Sequence, residues 1–230
     1  MSLGQNLQFL RKMYHGMTQE ELAEKMGVSR QTVSKWELDA AYPEMEKVVE
    51  LCKLFSCSMD HLVRENINTC NEAYSDIRIE EVEAFQYVQY AVISKEPEHD
   101  AIKHIKEWAV SHNIAKPEII GWDFPHVSQE QINVFHMHGY AAACILPSDS
   151  AFDHVEVVSQ KNQKYAIITI KDPFNNEAFA LIENAYKTLI LYMQVNGIKH
   201  KHTKEVLSCF EKEYVIDGII YMDVHIAADL

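Results

Sequence analysis

The chain has 230 residues, 34 acidic and 21 basic, a net charge of −13 and a hydrophobic share of 47%. That share, with only seven glycines and six prolines, excludes a long disordered or low-complexity protein. The opening MSLGQNLQFLRK is not that of a signal peptide, the apolar runs are too short to span a bilayer, and five cysteines without CxxC spacing read as reduced thiols, so a cytoplasmic protein without membrane contact is expected.

Leu3, Leu7, Leu10 and Tyr14 recur at helical spacing and predict a first helix. Thr18 with Glu21 three residues on is a capping box that starts a second, carrying Leu22, Ala23 and Met26 on one face. Gly27 supplies the left-handed residue that ends it. Ser29 caps a third helix whose inner side holds Val33 and Trp36. Two helices joined by so short a turn form a helix-turn-helix unit. Pro43 opens a fourth helix with Met45, Val48, Cys52 and Phe55 inside, and Ser58 caps a fifth with Met59 and Leu62 inside. Five helices within residues 1–66 make an all-α domain, and the polar stretch 67–76 reads as a linker.

The outer face of the third helix carries Arg30, Gln31, Ser34 and Lys35. Arg and Lys side chains suit guanine edges in a major groove, and Gln suits adenine. Gln19 and Thr32 are placed to hold phosphates, with Ser29 beside them. The words TQEELA, GVSRQTVSKWE, YPEMEKVVELCKLF and SMDHLV resemble the DNA-binding domain of the Xre/Cro/C1 repressor family over residues 3–64. The resemblance implies a lambda-repressor-like five-helix fold and double-stranded operator DNA as partner. Residues 1–66 hold 8 basic and 10 acidic side chains, so the strong acidity lies in the remainder. A near-neutral DNA module gains little from phosphate attraction, and a homodimer on a two-fold site is expected.

From residue 77 the pattern changes. Residues 87–94 read as a strand, 100–111 as a helix, and 118–124 and 140–146 as strands. Residues 155–159 and 165–170 are further strands, 176–195 a long helix with Phe179, Ile182, Tyr186, Leu189 and Met193 on a stripe, and 210–216 and 219–227 closing strands. YAVISKEP and YAIITIKDP each precede a helix and then a strand pair, which makes two pseudo-repeated β-α-β-β halves. With IIGWDFP, YAAACILP, FEKEY and DGIIYMDVHIA, residues 77–230 resemble the GyrI-like domain that serves AraC-type and MerR-type regulators as effector-binding domain. The α+β fold of that family implies a groove between the halves, lined by aromatic side chains over a carboxylate. The candidates are Trp122, Phe124, Tyr140, Phe174, Glu211, Glu213, Tyr214 and Tyr221, with either Glu211 or Glu213 as the pocket carboxylate. Rings and a half-buried Glu suit a small amphipathic or cationic aromatic molecule.

His136 with His138, and His200 with His202, read as surface histidines rather than metal ligands, and no catalytic motif is present. The expectation is therefore a non-enzymatic repressor with a small-molecule effector and neither cofactor nor metal. Two rival readings stand beside it. One is a GyrI-like hydrolase of small electrophiles, with Glu213 as general base and Tyr214 or Trp122 nearby. The other is an acidic protein-binding module that mimics DNA.

Overall fold

A computed structural model describes residues 2–65, 67, 73–123, 127–147, 155–174 and 178–230. By contacts the chain divides into two compact units, one of residues 1–74, 179–199 and 229–230, the other of residues 75–178 and 200–228.

The first unit opens with α1 (Leu3–Met13), α2 (Gln19–Met26), α3 (Arg30–Glu37), α4 (Met45–Leu54) and α5 (Met59–Val63). Local chemistry sets their ends. Thr18 and Glu21 form the expected reciprocal capping box, Gly27 sits at φ 64°, and the hydroxyls of Ser29 and Ser58 accept from the backbone N–H three residues on. Leu7, Leu10, Leu22, Val33, Leu51, Phe55 and Leu62 are fully buried and form the core. Gly4 marks a close crossing of α1 over the end of α3, where a Cβ would meet the Trp36 carbonyl oxygen at 2.4 Å. The buried Asn6 amide donates to the carbonyls of His61, Leu62 and Glu65, and so closes the C-terminal end of α5. Met45 and Met59, expected inside, are largely exposed. Each is the first residue of its helix, where the side chain projects from the end of the cylinder, and Val48, Leu51 and Leu62 do the packing.

A long helix, α8 (Ala178–Val195), read in sequence as part of the second domain, is grouped by contacts with these five. The Asn196 amide just past its end accepts from the His15 backbone N–H at 3.1 Å and donates to the Met13 carbonyl at 3.0 Å. Gln194 donates to the Ser56 carbonyl, and the Tyr74 hydroxyl donates to the Leu181 carbonyl. Leu181, Ala185, Thr188, Leu189, Leu191, Met193 and Val195 are buried, so more than one face of the helix is covered; of the expected stripe, Ile182 and Tyr186 are only half-buried. This helix is largely apolar but carries an exposed Glu183–Lys187 ion pair, and no helix of the described residues is long and apolar enough to cross a membrane.

The second unit is built on one antiparallel sheet. Its described strands are β1 (Arg78–Val82), β2 (Phe85–Ser94), β3 (Glu118–Asp123), β4 (His138–Ile145), β5 (Val158–Gln160), β6 (Gln163–Lys171), β7 (Lys199–His200), β8 (Cys209–Ile216) and β9 (Ile219–Asp229). They run in the order β1-β6-β9-β8-β3-β4-β2-β5, with β7 added on β9. The order is symmetric about the β8–β3 junction: β6, β9, β8 on one side answer β2, β4, β3 on the other. With a helix following β2 and β6, this is the α+β arrangement of two β-α-β-β halves. α6 (Pro97–Ser111) covers one sheet face, packing Ala101, Ile105 and Ala109 on Val88, Tyr140, Ala142 and Cys144. The opposite face gathers Tyr87, Ile120, Tyr165, Ile167 and Phe210. A short α7 (Gln129–Asn133) precedes β4. His136 has φ 52° and stands ahead of β4, so it does not alternate with His138 along a strand.

Candidate DNA-reading face and ligand cleft

In the first unit, α3 turns Arg30, Gln31 and Lys35 to solvent, with Ser34 and Thr32 half-buried beside them. Ser29 and Thr32 are engaged with each other: the Ser29 hydroxyl accepts the Thr32 N–H at 3.1 Å, and their oxygens lie 2.9 Å apart. Arg30 lies 4.0 Å from Glu20, both exposed, an arrangement that stabilises little.

What fixes this face lies beneath it. The Arg11 guanidinium grips the Glu37 carboxylate with two bonds, Nε to Oε1 at 2.6 Å and Nη2 to Oε2 at 3.1 Å, and donates to the Met17 carbonyl. Both side chains are at least nine-tenths covered. Gln19 donates to the same carboxylate at 2.8 Å, so its amide is tied to the end of α3. Sequence reading missed Arg11 and Glu37, since amphipathic spacing gives no sign of two charges buried together.

In the second unit, sheet register decides which candidates meet. Gly121 pairs with Glu211 and Asp123 with Tyr140, so Gly121, Asp123, Tyr140, Glu211 and Glu213 share the face that α6 covers. The Tyr140 hydroxyl donates to Glu211 at 3.0 Å, and both residues are buried. The ring reaches Glu211 by lying across Gly121: a Cβ there would be 2.1 Å from the hydroxyl oxygen. Burial, with Glu211 and Glu98 close by, drives the Tyr140 phenol far above its ordinary value, so it stays a donor.

Beside this pair opens a cleft of about 220 Å³, bounded by Ile102 and Lys106 of α6, by Ile119, and by Val215 and Ile220 of the β8–β9 hairpin. Glu211 and Glu213 both line it, so the pattern places two carboxylates where one was expected. A second hollow along α6 shares Ile102, Lys106 and Glu213 with the first and adds Glu98 and Phe174. Desolvation raises the pKa of Glu98, with Glu213 and Asp123 adding repulsion. Desolvation likewise raises Asp123 and Glu213, His138 and Lys106 respectively opposing the shift. Glu98 and Asp123 escaped sequence reading because one stands on a helix and the other at a strand end.

The other candidates lie elsewhere. Trp122 points to the opposite face, edge-on to Tyr87. Tyr214 borders the cleft, but its ring stacks on Tyr221 across the strands at 5.8 Å, and its hydroxyl donates to Asp223. Phe124 falls outside the described residues. On that opposite face Arg78 bonds Asp223 and Thr169, and His225 is buried against Phe210 with ring centroids 4.1 Å apart. Burial lowers the His225 pKa to about 4. In the unfolded chain the ring takes its proton near 6.5, so the unfolded state binds it first and stability falls as pH drops between 6.5 and 4. We expect up to about 3 kcal/mol of stability to depend on this ring. Urea midpoints at pH 7 and pH 4.5, compared between the wild type and His225→Gln, measure it; equal pH dependence in the two would refute it.

Comparisons with known proteins bear on the first unit. A helix-turn-helix family model matches residues 7–62. The HTH-type transcriptional activator BcrR of Enterococcus faecalis is 43% identical over 63 residues, 27% of this chain and 30% of that protein. The uncharacterized HTH-type transcriptional regulator YobD of Bacillus subtilis (strain 168) is 36% identical over 59 residues, 26% of this chain and 52% of that protein. The chain thus spans about half or less of the length of these relatives. Among solved structures, the C-terminal domain of EcmrR aligns with 67% of this chain and 97% of that one, at 10% identity and a TM-score of 0.48. The match over the capped helices α2 and α3 and their buried support makes residues 7–62 a helix-turn-helix domain of the Xre type, shared with transcriptional regulators.

Proposed function

We propose that the chain is a sequence-specific DNA-binding transcription regulator, a repressor acting as a homodimer in the cytoplasm, with no catalytic activity of its own. The observation that carries this reading is the exposed polar face of α3, which presents Arg30, Gln31 and Lys35 on a helix anchored by the Arg11–Glu37 pair. Such a helix enters a major groove with rigid side-chain origins, and bidentate contacts to base edges discriminate sequence. The first unit has little charge surplus, so two copies on a two-fold operator supply the affinity that one lacks.

The second unit is, in this reading, a GyrI-like effector-binding domain. The two β-α-β-β halves support it, as does the cleft with its buried Glu211 held by Tyr140. A carboxylate kept from water favours a cation that replaces the lost hydration. Because the acids of the cleft hold their protons to higher pH than usual, a cation binds more tightly as pH rises through their range.

The test starts with an operator selected from a random duplex pool by the full chain. Gln31→Ala combined with Lys35→Ala is expected to weaken binding to that operator at least tenfold with the thermal midpoint unchanged. Unchanged operator affinity in the double variant would remove the reading. Mixing the protein with an identified ligand and recovering that ligand unaltered separates a sensor from a hydrolase.

A further inference from the structure

One side chain on the outer face of α3 has nothing to offer a hydrogen bond. Leu38 is the C-cap of that helix, and its N–H still bonds the Ser34 carbonyl as one more helical residue would. Its side chain is 75% exposed, more than any other large apolar side chain among the described residues. At about 100° per residue, Leu38 stands about 20° from Gln31 around the helix axis, between Ser34 and Lys35. Val33 and Trp36 are buried and set the inner side, so Leu38 lies near the middle of the outer one.

The backbone on both sides of Leu38 is pinned. Glu37 before it is gripped by Arg11. Asp39 after it takes a left-handed φ of 54°, and the N–H groups of Asp39 and Ala40 return to the Trp36 and Lys35 carbonyls. The Asp39 carboxylate also accepts the Gly4 N–H at 2.9 Å, which ties this corner to α1. A branched aliphatic side chain is thus held toward water from a fixed origin, and a surface that covers it gains the burial that the fold forgoes.

Resting on the DNA-binding reading, we propose that Leu38 is a specificity-determining residue of α3, which selects thymine at one position of each half-site through the thymine 5-methyl group. Of the groups that base edges display in a major groove, that methyl is the apolar one, and an aliphatic side chain answers it by contact. Arg30, Gln31 and Lys35 read donors and acceptors, so they leave the methyl to a residue of another chemistry. Leu38 lies roughly 10 Å along the axis from Gln31, on the order of three base-pair steps of ~3.4 Å. It therefore meets a different base from the one that Gln31 meets, and lengthens the site that one helix reads.

The experiment takes the operator selected by the full chain and replaces each thymine in turn with uracil, which removes the methyl and keeps every hydrogen-bonding atom. At one thymine per half-site the wild type is expected to bind uracil about fourfold more weakly, the factor to which ~0.8 kcal/mol for one buried carbon corresponds. Leu38→Ala is expected to bind thymine and uracil equally at that position, with the thermal midpoint unchanged, since the side chain is mostly in water. Leu38→Met, apolar and of similar volume, is expected to keep the preference. No thymine at which uracil weakens the wild type, or a penalty that Leu38→Ala leaves in full, overturns the assignment and leaves the DNA-binding reading standing. Weaker self-association of Leu38→Ala in sedimentation, with the uracil penalty intact, places the side chain between two copies and overturns the assignment as well. A random pool from which the chain enriches no duplex removes the DNA-binding reading and the assignment together.

Discussion

Glu37→Ala is expected to lower the stability of the helical unit by about 3–5 kcal/mol. Removing the carboxylate leaves the Arg11 guanidinium buried and still bonded to the Met17 carbonyl but without its counter-charge, and strips Gln19 of the acceptor it uses. An uncompensated buried charge costs far more than the pair contributes, which is the asymmetry to exploit. Arg11→Met with Glu37→Leu removes both charges and keeps apolar volume, and this double variant is expected to recover most of the loss. Urea unfolding of the full chain followed by circular dichroism distinguishes the cases. A single variant losing less than about 1 kcal/mol would mean the pair behaves as if solvated, contrary to its burial. Because Glu37 closes α3 and tethers the start of α2, the double variant is also expected to keep the fold while loosening the recognition helix, with weaker operator binding as the sign.

Gly121→Ala is expected to cost on the order of 4 kcal/mol in the sheet unit, about 1–3 from overpacking and about 1.5–3 from a lost bond to a buried carboxylate. The added methyl would meet the Tyr140 hydroxyl oxygen at 2.1 Å and two ring carbons at 2.6 and 2.7 Å. The ring must swing away, and the Tyr140–Glu211 bond goes with it. The pair forms a clean cycle. In a Tyr140→Leu background there is no ring over the glycine, so Gly121→Ala should then cost little, and strong non-additivity is the outcome that supports the geometry. Simple additivity of the two substitutions would refute it.

The first unit was legible wherever the determinants are local. Thr18 with Glu21, Gly27, and Ser29 each fix a helix end within four residues of chain, and all stand as read. Arg11 and Glu37 are 26 residues apart, and hydropathy treats each as a surface charge. The sheet's two halves were legible from the repeated strand-helix-strand-strand order. Its short strands β1 and β7 and the single-turn α7 were not, because they are too brief to show a period, and β5 was read a few residues early, at 155–159.

The cleft was half legible. Alternation along β8 makes Glu211 and Glu213 neighbours on one face whichever way the strand turns, so both carboxylates reach the site. Whether Trp122 joins them depends on the registers of β3 against β4 and β8, which place Gly121 rather than its neighbour opposite Glu211. The same registers put the Tyr140 ring over Gly121, a dependence on a cross-strand neighbour that no single stretch of chain reveals.

The grouping of α8 with α1–α5 bears on the order in which the protein matures at the ribosome. The five helices leave the exit tunnel first, but the helix that Asn196 ties to the Met13–His15 turn follows only after residues 75–178. At roughly 5–20 residues per second, that interval of about a hundred residues lasts roughly 5–20 s. Through it the nascent helix-turn-helix unit stands without α8, and the strands β1 to β6 are already synthesised before that unit is complete.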